Sequence, residues 1–376
     1  MNIGITCFPV VGGSGIVATE LGQKLAARGH QVHFIADALP FRLDKYQNNL
    51  FFHGVVATSY PLFKFPPYAL TLASKIAEVT RDFNLDLLHM HYAIPHATCA
   101  YLAREILRDS GHRLPKIITT LHGTDITLVG SDPSFFDITK FSIDASDGIT
   151  AVSKYLALET KEVFHIRKDI RVIHNFFDAE RFKPGCTECR KNEFVREGEF
   201  LIAHISNFRP VKRVLDVIEI FDKIQSEVPA RLVLIGEGPD TALARRQIKK
   251  KKLEDKVAFL GNQTRVEAVL PCADLFLIPS EEESFGLAAL EALACGVPVI
   301  GTSGTGLVEV VDDYKNGFLL PVGDTSAMAR AALSLLKDKA RLLSFRQAAA
   351  EIALQKFNAE KIVSEYEAHY DEILNG

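Results

Sequence analysis

Glu283 and Glu291 stand with seven residues between them, in the run Pro279-Ser280-Glu281-Glu282-Glu283-Ser284-Phe285-Gly286-Leu287 and the helical stretch after it. The first glutamate falls in a loop after a strand, and the second about one turn inside the next helix. Carboxylates so placed can hold the hydroxyls of a sugar or a ribose. Ser284, Phe285, Gly286 and Leu287 open that helix. Backbone N–H groups there lack intrahelical partners and sit at the positive end of the helix dipole, which suits a phosphate. Taken alone, the cluster Glu281 to Glu283 reads as solvated surface charge. The Ser-Phe-Gly between the paired glutamates, and the Cys295-Gly296-Val297-Pro298 that follows, favour a site.

A second constellation lies near the start of the chain. Gly12-Gly13-Ser14-Gly15 follows an apolar run and opens a helix. Gly13, Gly15 and Ala18 fit G-x-G-x-x-A, and Asp37 follows the next apolar run, where a ribose-binding acid belongs. Glycine lets backbone approach a ligand closely, and the exposed N–H groups attract an anion. The loop by itself does not say whether that anion is the pyrophosphate of NAD or a carboxylate. A tight turn that binds nothing would look the same.

The elements that must carry these loops alternate. Ile3–Phe8, Gln31–Ala36, Leu85–Met90, Lys116–Leu121 and Gly148–Ala151 read as buried strands, with helices over Ile16–Arg28, Pro67–Asn84 and Pro95–Asp109. Between Asn175 and Gly198 the rhythm breaks into charge, Pro184 and Gly185, which reads as a linker. It then restarts with strands at Phe200–Ser206, Arg231–Ile235, Val257–Leu260, Asp274–Ile278 and Pro298–Gly301. Helices are expected at Val211–Gln225, Asp240–Lys250, Leu287–Ala294 and Ser326–Leu336. The expectation is α/β: two Rossmann-like, doubly wound parallel-sheet domains facing a cleft. Residues 1–175 form the first, joined by a C-terminal helix at 359–376, and residues 176–358 form the second.

Bulk properties agree with two domains and narrow the partners. At 376 residues the chain exceeds one ordinary core. Net charge is −4, which does not favour nucleic acid. Residues 1–175 hold 17 Lys/Arg and 16 Asp/Glu, a net of +1, and the remainder holds 26 and 31, a net of −5. The first half thus lacks the basic excess that would meet an anionic bilayer. Lys249 to Lys252 reads as a solvated helix end. No signal peptide or membrane span is visible, so the expected compartment is the cytoplasm. Cys186-x-x-Cys189 has no second pair at zinc-finger spacing and reads as a loop. The chain contains no Asp-x-Asp element.

The whole chain resembles the retaining GT-B glycosyltransferases that carry a Glu-x7-Glu element. Supporting signs are Gly236-Glu237-Gly238-Pro239, Phe259-Leu260-Gly261 and Asn316-Gly317. Further stretches are similar to the N-acetylglucosaminyl malate synthases of bacillithiol biosynthesis: Gly12 to Gly15, His91-Tyr92-Ala93-Ile94-Pro95-His96-Ala97, Thr119 to Thr127, and Ser206 to Arg213. The resemblance implies UDP-N-acetylglucosamine (UDP-GlcNAc) as donor and L-malate as acceptor, both small molecules, with no nucleic acid and no integral membrane contact. It leaves homo-oligomer formation open, and since metal-dependent transferases carry an Asp-x-Asp element that this chain lacks, it implies no divalent metal and no other cofactor.

The roles implied are specific. Lys212 and Arg209, after the first strand of the second half, would neutralise the departing diphosphate; Asn207 stands beside them where many relatives carry arginine. Gly13, Gly261, Ser284 to Leu287, Glu283 and Glu291 would complete the donor site, with Glu283 on sugar hydroxyls, Glu291 on ribose and the uracil near Phe259–Gly261. His122 would meet the donor sugar near its reacting carbon, so that His122, Lys212 and Glu283 form the catalytic set. Ser14, Tyr92 and Thr120 would hold the acceptor. The two halves are expected to close on the donor. Rivals are an NAD-dependent oxidoreductase using Gly13, Gly15 and Asp37, a nucleotide-sugar sensor without chemistry, and a transferase with an inositol-phosphate or lipid acceptor.

Overall fold

The computed structural model describes residues 1–10, 12–44, 46–57, 62, 64–127, 130, 132–185 and 191–376. Cys186 and Cys189 lie outside them. The chain divides into two compact units, Met1–Asn175 with Glu360–Gly376, and Phe176–Ala359.

Unit 1 is built on seven parallel strands: β1 (Asn2–Thr6), β2 (Gln31–Ala36), β3 (Leu50–Gly54), β4 (Leu87–His91), β5 (Lys116–Leu121), β6 (Gly148–Ala151) and β7 (Arg171–Val172). Their spatial order is β3-β2-β1-β4-β5-β6-β7. Helices α1 (Gly13–Ala27), α2 (Tyr68–Phe83), α3 (Thr98–Asp109), α4 (Thr124–Thr127), α5 (Phe136–Ala145) and α6 (Lys154–Phe164) connect them. β4 is buried at every position, as expected of a strand covered on both faces. The core between α2, α3 and the sheet includes Ile76, Leu88, Met90 and Leu107.

Unit 2 repeats the plan. A short helix, α7 (Lys191–Phe194), leads into β8 (Phe200–Ile205), α8 (Val214–Gln225), β9 (Ala230–Ile235), α9 (Thr241–Lys251) and β10 (Val257–Gly261). β11 (Leu275–Ile278), α10 (Leu287–Ala294), β12 (Val299–Thr302), β13 (Gly317–Leu320), α11 (Thr325–Leu336) and α12 (Lys339–Phe357) follow. The strand order is β10-β9-β8-β11-β12-β13, again parallel. Phe221, Leu232, Leu277 and Met328 lie in its core. The last helix, α13 (Ala359–Asn375), has residues 360 onward in unit 1, where Tyr366 and Tyr370 are fully buried.

Both sheets reverse their winding at one place, between β1 and β4 in unit 1 and between β8 and β11 in unit 2. Loops at the carboxyl ends of such a strand pair diverge to opposite faces, and the crevice between them is where open α/β sheets bind ligands. The glycine loop follows β1, Tyr92 follows β4, Lys212 follows β8 and Glu283 follows β11.

Several expected boundaries move. The helix expected from Pro95 begins at Thr98, after a wide π-type turn over Ala93–Ala97. The helix expected from Val211 begins at Val214, after a tight turn over Pro210–Lys212 that ends with Arg213 at φ 50°. Lys251 is not merely solvated: its ammonium reaches Glu219 and Asp222 of α8, each at 2.8 Å.

Candidate functional site

In unit 1 the glycine loop leads straight into α1, whose first turn has no side-chain cap. Gly15 is required there: a Cβ would stand 2.7 Å from the Phe8 carbonyl oxygen. Ser14 Oγ donates to Tyr92 Oη at 3.3 Å, so the winding reversal brings the loops after β1 and β4 together. The Tyr92 ring stacks on His122, with centroids 5.5 Å apart and planes 25° apart, and Phe8 meets its edge at 5.2 Å.

His122 follows β5 and is half-buried. Its Nε2 lies 2.9 Å from His91 Nδ1. Asp125 anchors the backbone around this pair. Its Oδ1 accepts from the N–H groups of His122 and Gly123, and its Oδ2 from that of Ala93. One carboxylate thus ties the turn after β4 to the turn after β5. Burial raises the Asp125 carboxyl to about 6, against the lowering effect of those N–H groups. Burial lowers His122 to about 3 and His96 to about 4, and takes His91 well below the ordinary histidine value.

Thr120 does not join Ser14 and Tyr92. Its hydroxyl is fully buried and bonded at 2.6 Å to both His89 Nε2 and Thr150 Oγ1. Its backbone carbonyl accepts from the Tyr92 N–H at 3.1 Å. Because β5 is buried on both faces, strand alternation could not say which threonine faces a ligand. Asp37 is exposed just beyond β2.

In unit 2 the loops after β8 and β11 are stitched together. Lys212 Nζ donates to Glu283 Oε1 at 2.7 Å, and the Glu281 N–H donates to the Val211 carbonyl at 2.8 Å. Ser280 Oγ donates to the same Glu283 oxygen at 2.8 Å. The Glu283 carbonyl accepts from the Gly306 N–H at 2.7 Å, and a Cβ on Gly306 would stand 2.1 Å from the Ser284 carbonyl oxygen. Asn207 and Arg209 are exposed on the same β8 loop as Lys212.

That loop lies against the glycine pair of Gly236-Glu237-Gly238. A Cβ on Gly236 or Gly238 would stand 1.9 or 1.8 Å from the carbonyl oxygens of Ser206 and Asn207. Gly261 closes β10 at φ 64°, and its carbonyl accepts from the Gly236 N–H. Beneath the loop, His204 Nε2 meets Ser206 Oγ and its Nδ1 meets the Leu277 carbonyl, each at 2.8 Å. Burial lowers this imidazole to about 4.

Ser284 and Phe285 lead to Gly286, which precedes α10 at φ 96° without a side-chain cap. Gly286, lacking a side chain, offers no cap of its own to the first α10 N–H groups. Phe285 is buried edge-on against Phe357, and Glu291 is buried within α10.

Asp125, His91 and Ser280 are the site residues that sequence reasoning did not assign. Asp125 and His91 lay inside the motifs quoted for the resemblance, and Ser280 stands three residues before Glu283; only the fold shows what they touch. Among the described residues no group of His, Cys, Asp and Glu is arranged to hold a metal ion. Cys7, Cys99 and Cys295 are free thiols, and Cys272 is disulfide-bonded. No helix of the described residues is long and apolar enough to cross a membrane.

Comparison with known proteins places these features. The family model for glycosyltransferase family 4 matches residues 11–181, and that for glycosyl transferases group 1 matches residues 187–352. The chain is 50% identical over 375 residues to N-acetyl-alpha-D-glucosaminyl L-malate synthase of Bacillus anthracis, covering 100% of this chain and 97% of that protein. Among solved structures, HepE of Anabaena with UDP and glucose superposes with a TM-score of 0.83 at 18% identity, covering 99% of both chains. Sucrose-phosphate synthase of Thermosynechococcus elongatus gives 0.81 at 21%, covering 100% of this chain and 99% of the other.

Proposed function

This chain belongs to the GT-B glycosyltransferases and is a hexosyltransferase; from that premise we propose that it moves N-acetylglucosamine from UDP-GlcNAc to the hydroxyl of L-malate, with retention at the anomeric carbon. The observation that carries the reading is identity at half of all positions, end to end, with a relative named for that synthesis. The NAD-dependent alternative falls with the family assignment, because the glycine loop after β1 needs no dinucleotide to explain it.

Unit 2 serves as the donor domain. Departure of UDP places charge on the diphosphate, and fixed cations and amides aimed at such charge lower the barrier most. Lys212 supplies the cation, Arg209 adds to it, and the N–H groups of Ser284 to Leu287 add the helix terminus. Lys212 is already oriented by Glu283, so little reorganisation is needed when phosphate arrives. Glu283 takes sugar hydroxyls and Glu291 the ribose. Asn207 and Gly261 border the nucleotide, with uracil near Phe259–Gly261.

Unit 1 serves as the acceptor domain. Ser14, with the loop N–H groups at the start of α1, takes a malate carboxylate, with Tyr92 as the adjoining hydrogen-bonding group, while Gly13 keeps the donor-side role that the resemblance implies. Thr120 shapes this site through its carbonyl on the Tyr92 N–H rather than through its hydroxyl. His122 meets the donor sugar near its reacting carbon. Malate attacks the face that UDP leaves, guided by the departing phosphate.

We further propose that the reaction needs no divalent cation. Both substrates are small anions that do not cross a bilayer unaided, and we place the reaction in the cytoplasm. The test is UDP release from UDP-GlcNAc with a panel of hydroxy acids, inositols and lipids in the presence of EDTA. Release with L-malate alone is the expected result. Release only with an inositol phosphate or a lipid, or only after magnesium or manganese is restored, would overturn the reading.

A further inference from the structure

His91 closes β4 and is fully buried. Its Nδ1 meets His122 Nε2 at 2.9 Å, and the two rings stack with centroids 5.1 Å apart and planes 26° apart. His89 lies two residues earlier, so its side chain leaves the same face of the strand. Its ring centroid is 4.3 Å from that of His91. His89 is held at both nitrogens, by Thr120 Oγ1 at 2.6 Å and by Tyr370 Oη at 2.7 Å. A row of side chains therefore runs Tyr370, His89, His91, His122, from the last helix to the carboxyl end of the sheet.

We propose that His91 is a positioning residue that fixes both the ring orientation and the proton location of His122, with Tyr370 and His89 packed behind it. This rests on the role given above to His122.

The argument is one of proton accounting. A contact between two neutral imidazole nitrogens holds one proton, so one ring must donate and the other accept. His91 Nε2 is buried with no hydrogen-bond partner among the described residues. An orphaned N–H in the interior is the less tolerated state, and an orphaned lone pair the more tolerated one. His91 therefore carries its proton on Nδ1 and donates it to His122 Nε2. His122 must then be the Nδ1–H tautomer. Its remaining ring nitrogen is a hydrogen-bond donor, the kind of group a sugar hydroxyl oxygen or a departing oxygen can accept. Asp125 already fixes the backbone at His122 and Gly123, so ring rotation is the freedom left for His91 to remove.

The experiment uses the full-length protein labelled with 15N-histidine. Long-range 1H–15N correlation reports the tautomer of each ring, and the His122→Asn variant assigns the His122 signals. The expected result is an Nδ1–H His122 in the wild type, and a shift towards Nε2–H in His91→Ala. His91→Asn, which returns an amide to the Nδ1 position, should restore the wild-type form. In kinetics, His91→Ala should lower kcat about 10-fold or more with donor KM nearly unchanged, and His91→Asn should recover most of that loss. Tyr370→Phe should lower kcat by a smaller factor. An Nε2–H His122 in the wild type, or a tautomer unmoved by His91→Ala in a protein with native circular dichroism, overturns the proposal. A tautomer shift with no change in kcat would support the hydrogen bond while overturning the role of His122 near the reacting carbon.

Discussion

Lys212 Nζ and Glu283 Oε1 lie 2.7 Å apart although 71 positions separate them in sequence. The pair forms because β8 and β11 are neighbours at the point where the sheet reverses its winding. Both side chains are only partly exposed, at 22% and 11%, so the contact is less screened than a surface ion pair. Lys212→Ala should lower kcat by about 100-fold or more, on the order of 3 kcal/mol, as for loss of one fixed group facing a developing charge. Thermal melting should fall modestly, because Glu283 loses its cation and keeps the Ser280 hydroxyl. UDP release within about twofold of wild type would remove Lys212 from the leaving-group role.

Ser280 is fully buried and donates to the same Glu283 oxygen at 2.8 Å, while its carbonyl accepts from Thr302 Oγ1. Ser280→Ala keeps the carbonyl contact and deletes the other. The loss should be about 1 kcal/mol, read as a several-fold rise in KM for UDP-GlcNAc. An unchanged donor KM, with malate KM altered instead, would mean that Glu283 does not meet the donor.

Ser14→Ala should act on the other substrate. Removing the hydroxyl should raise malate KM by about 5- to 10-fold, roughly 1 kcal/mol, and leave donor KM where it was. Initial rates over a matrix of both concentrations separate the two. A shift confined to the donor would reassign the glycine loop.

The buried histidines predict acid sensitivity. His89 is lowered to about 3, and His96 and His204 to about 4, with burial the leading cause in each case. The unfolded chain protonates these rings near 6.5, so the stability they contribute is present above that pH and lost as pH falls towards 4. His91 shifts in the same direction. Asp125, raised to about 6, works the other way: it holds a proton in the fold that the unfolded chain has released, and it offsets about one histidine. His33 and His122 are lowered as well, so against the one carboxyl unfolding near pH 5 should take up several protons net, each weakening the fold by about 1.4 kcal/mol per pH unit as the pH falls. Urea midpoints that stay constant between pH 7 and pH 5 would contradict this.

Much of the architecture was legible because alternating apolar strands and amphipathic helices leave a strong periodic mark. α10 was expected at Leu287–Ala294 and stands there. β3 left no such mark. The apolar run Leu50-Phe51-Phe52 is cut short by His53 and Gly54, and Phe51 and Phe52 are both substantially exposed on an edge strand, so no in-out alternation marked it. Lys212 and Glu283 could be singled out by residue type and position, but their contact could not, since it depends on which strands become neighbours. Asp125 was hidden for a different reason. Its partners are backbone N–H groups, and no side-chain spacing records them. Thr120 was placed on the wrong face of the problem, because a strand buried on both sides gives no parity from which to read direction.

One face of the unit 1 sheet is covered by residues 360–376, which leave the ribosome only after the whole of unit 2. Until Tyr366 and Tyr370 arrive, the polar face around His89, Thr120 and Thr150 has no cover, although the strands bearing it emerged much earlier. Unit 2 can complete its own sheet while unit 1 still waits. Folding during synthesis should therefore mature unit 2 first, and a chain stopped near residue 358 should hold a sound unit 2 and an unfinished unit 1.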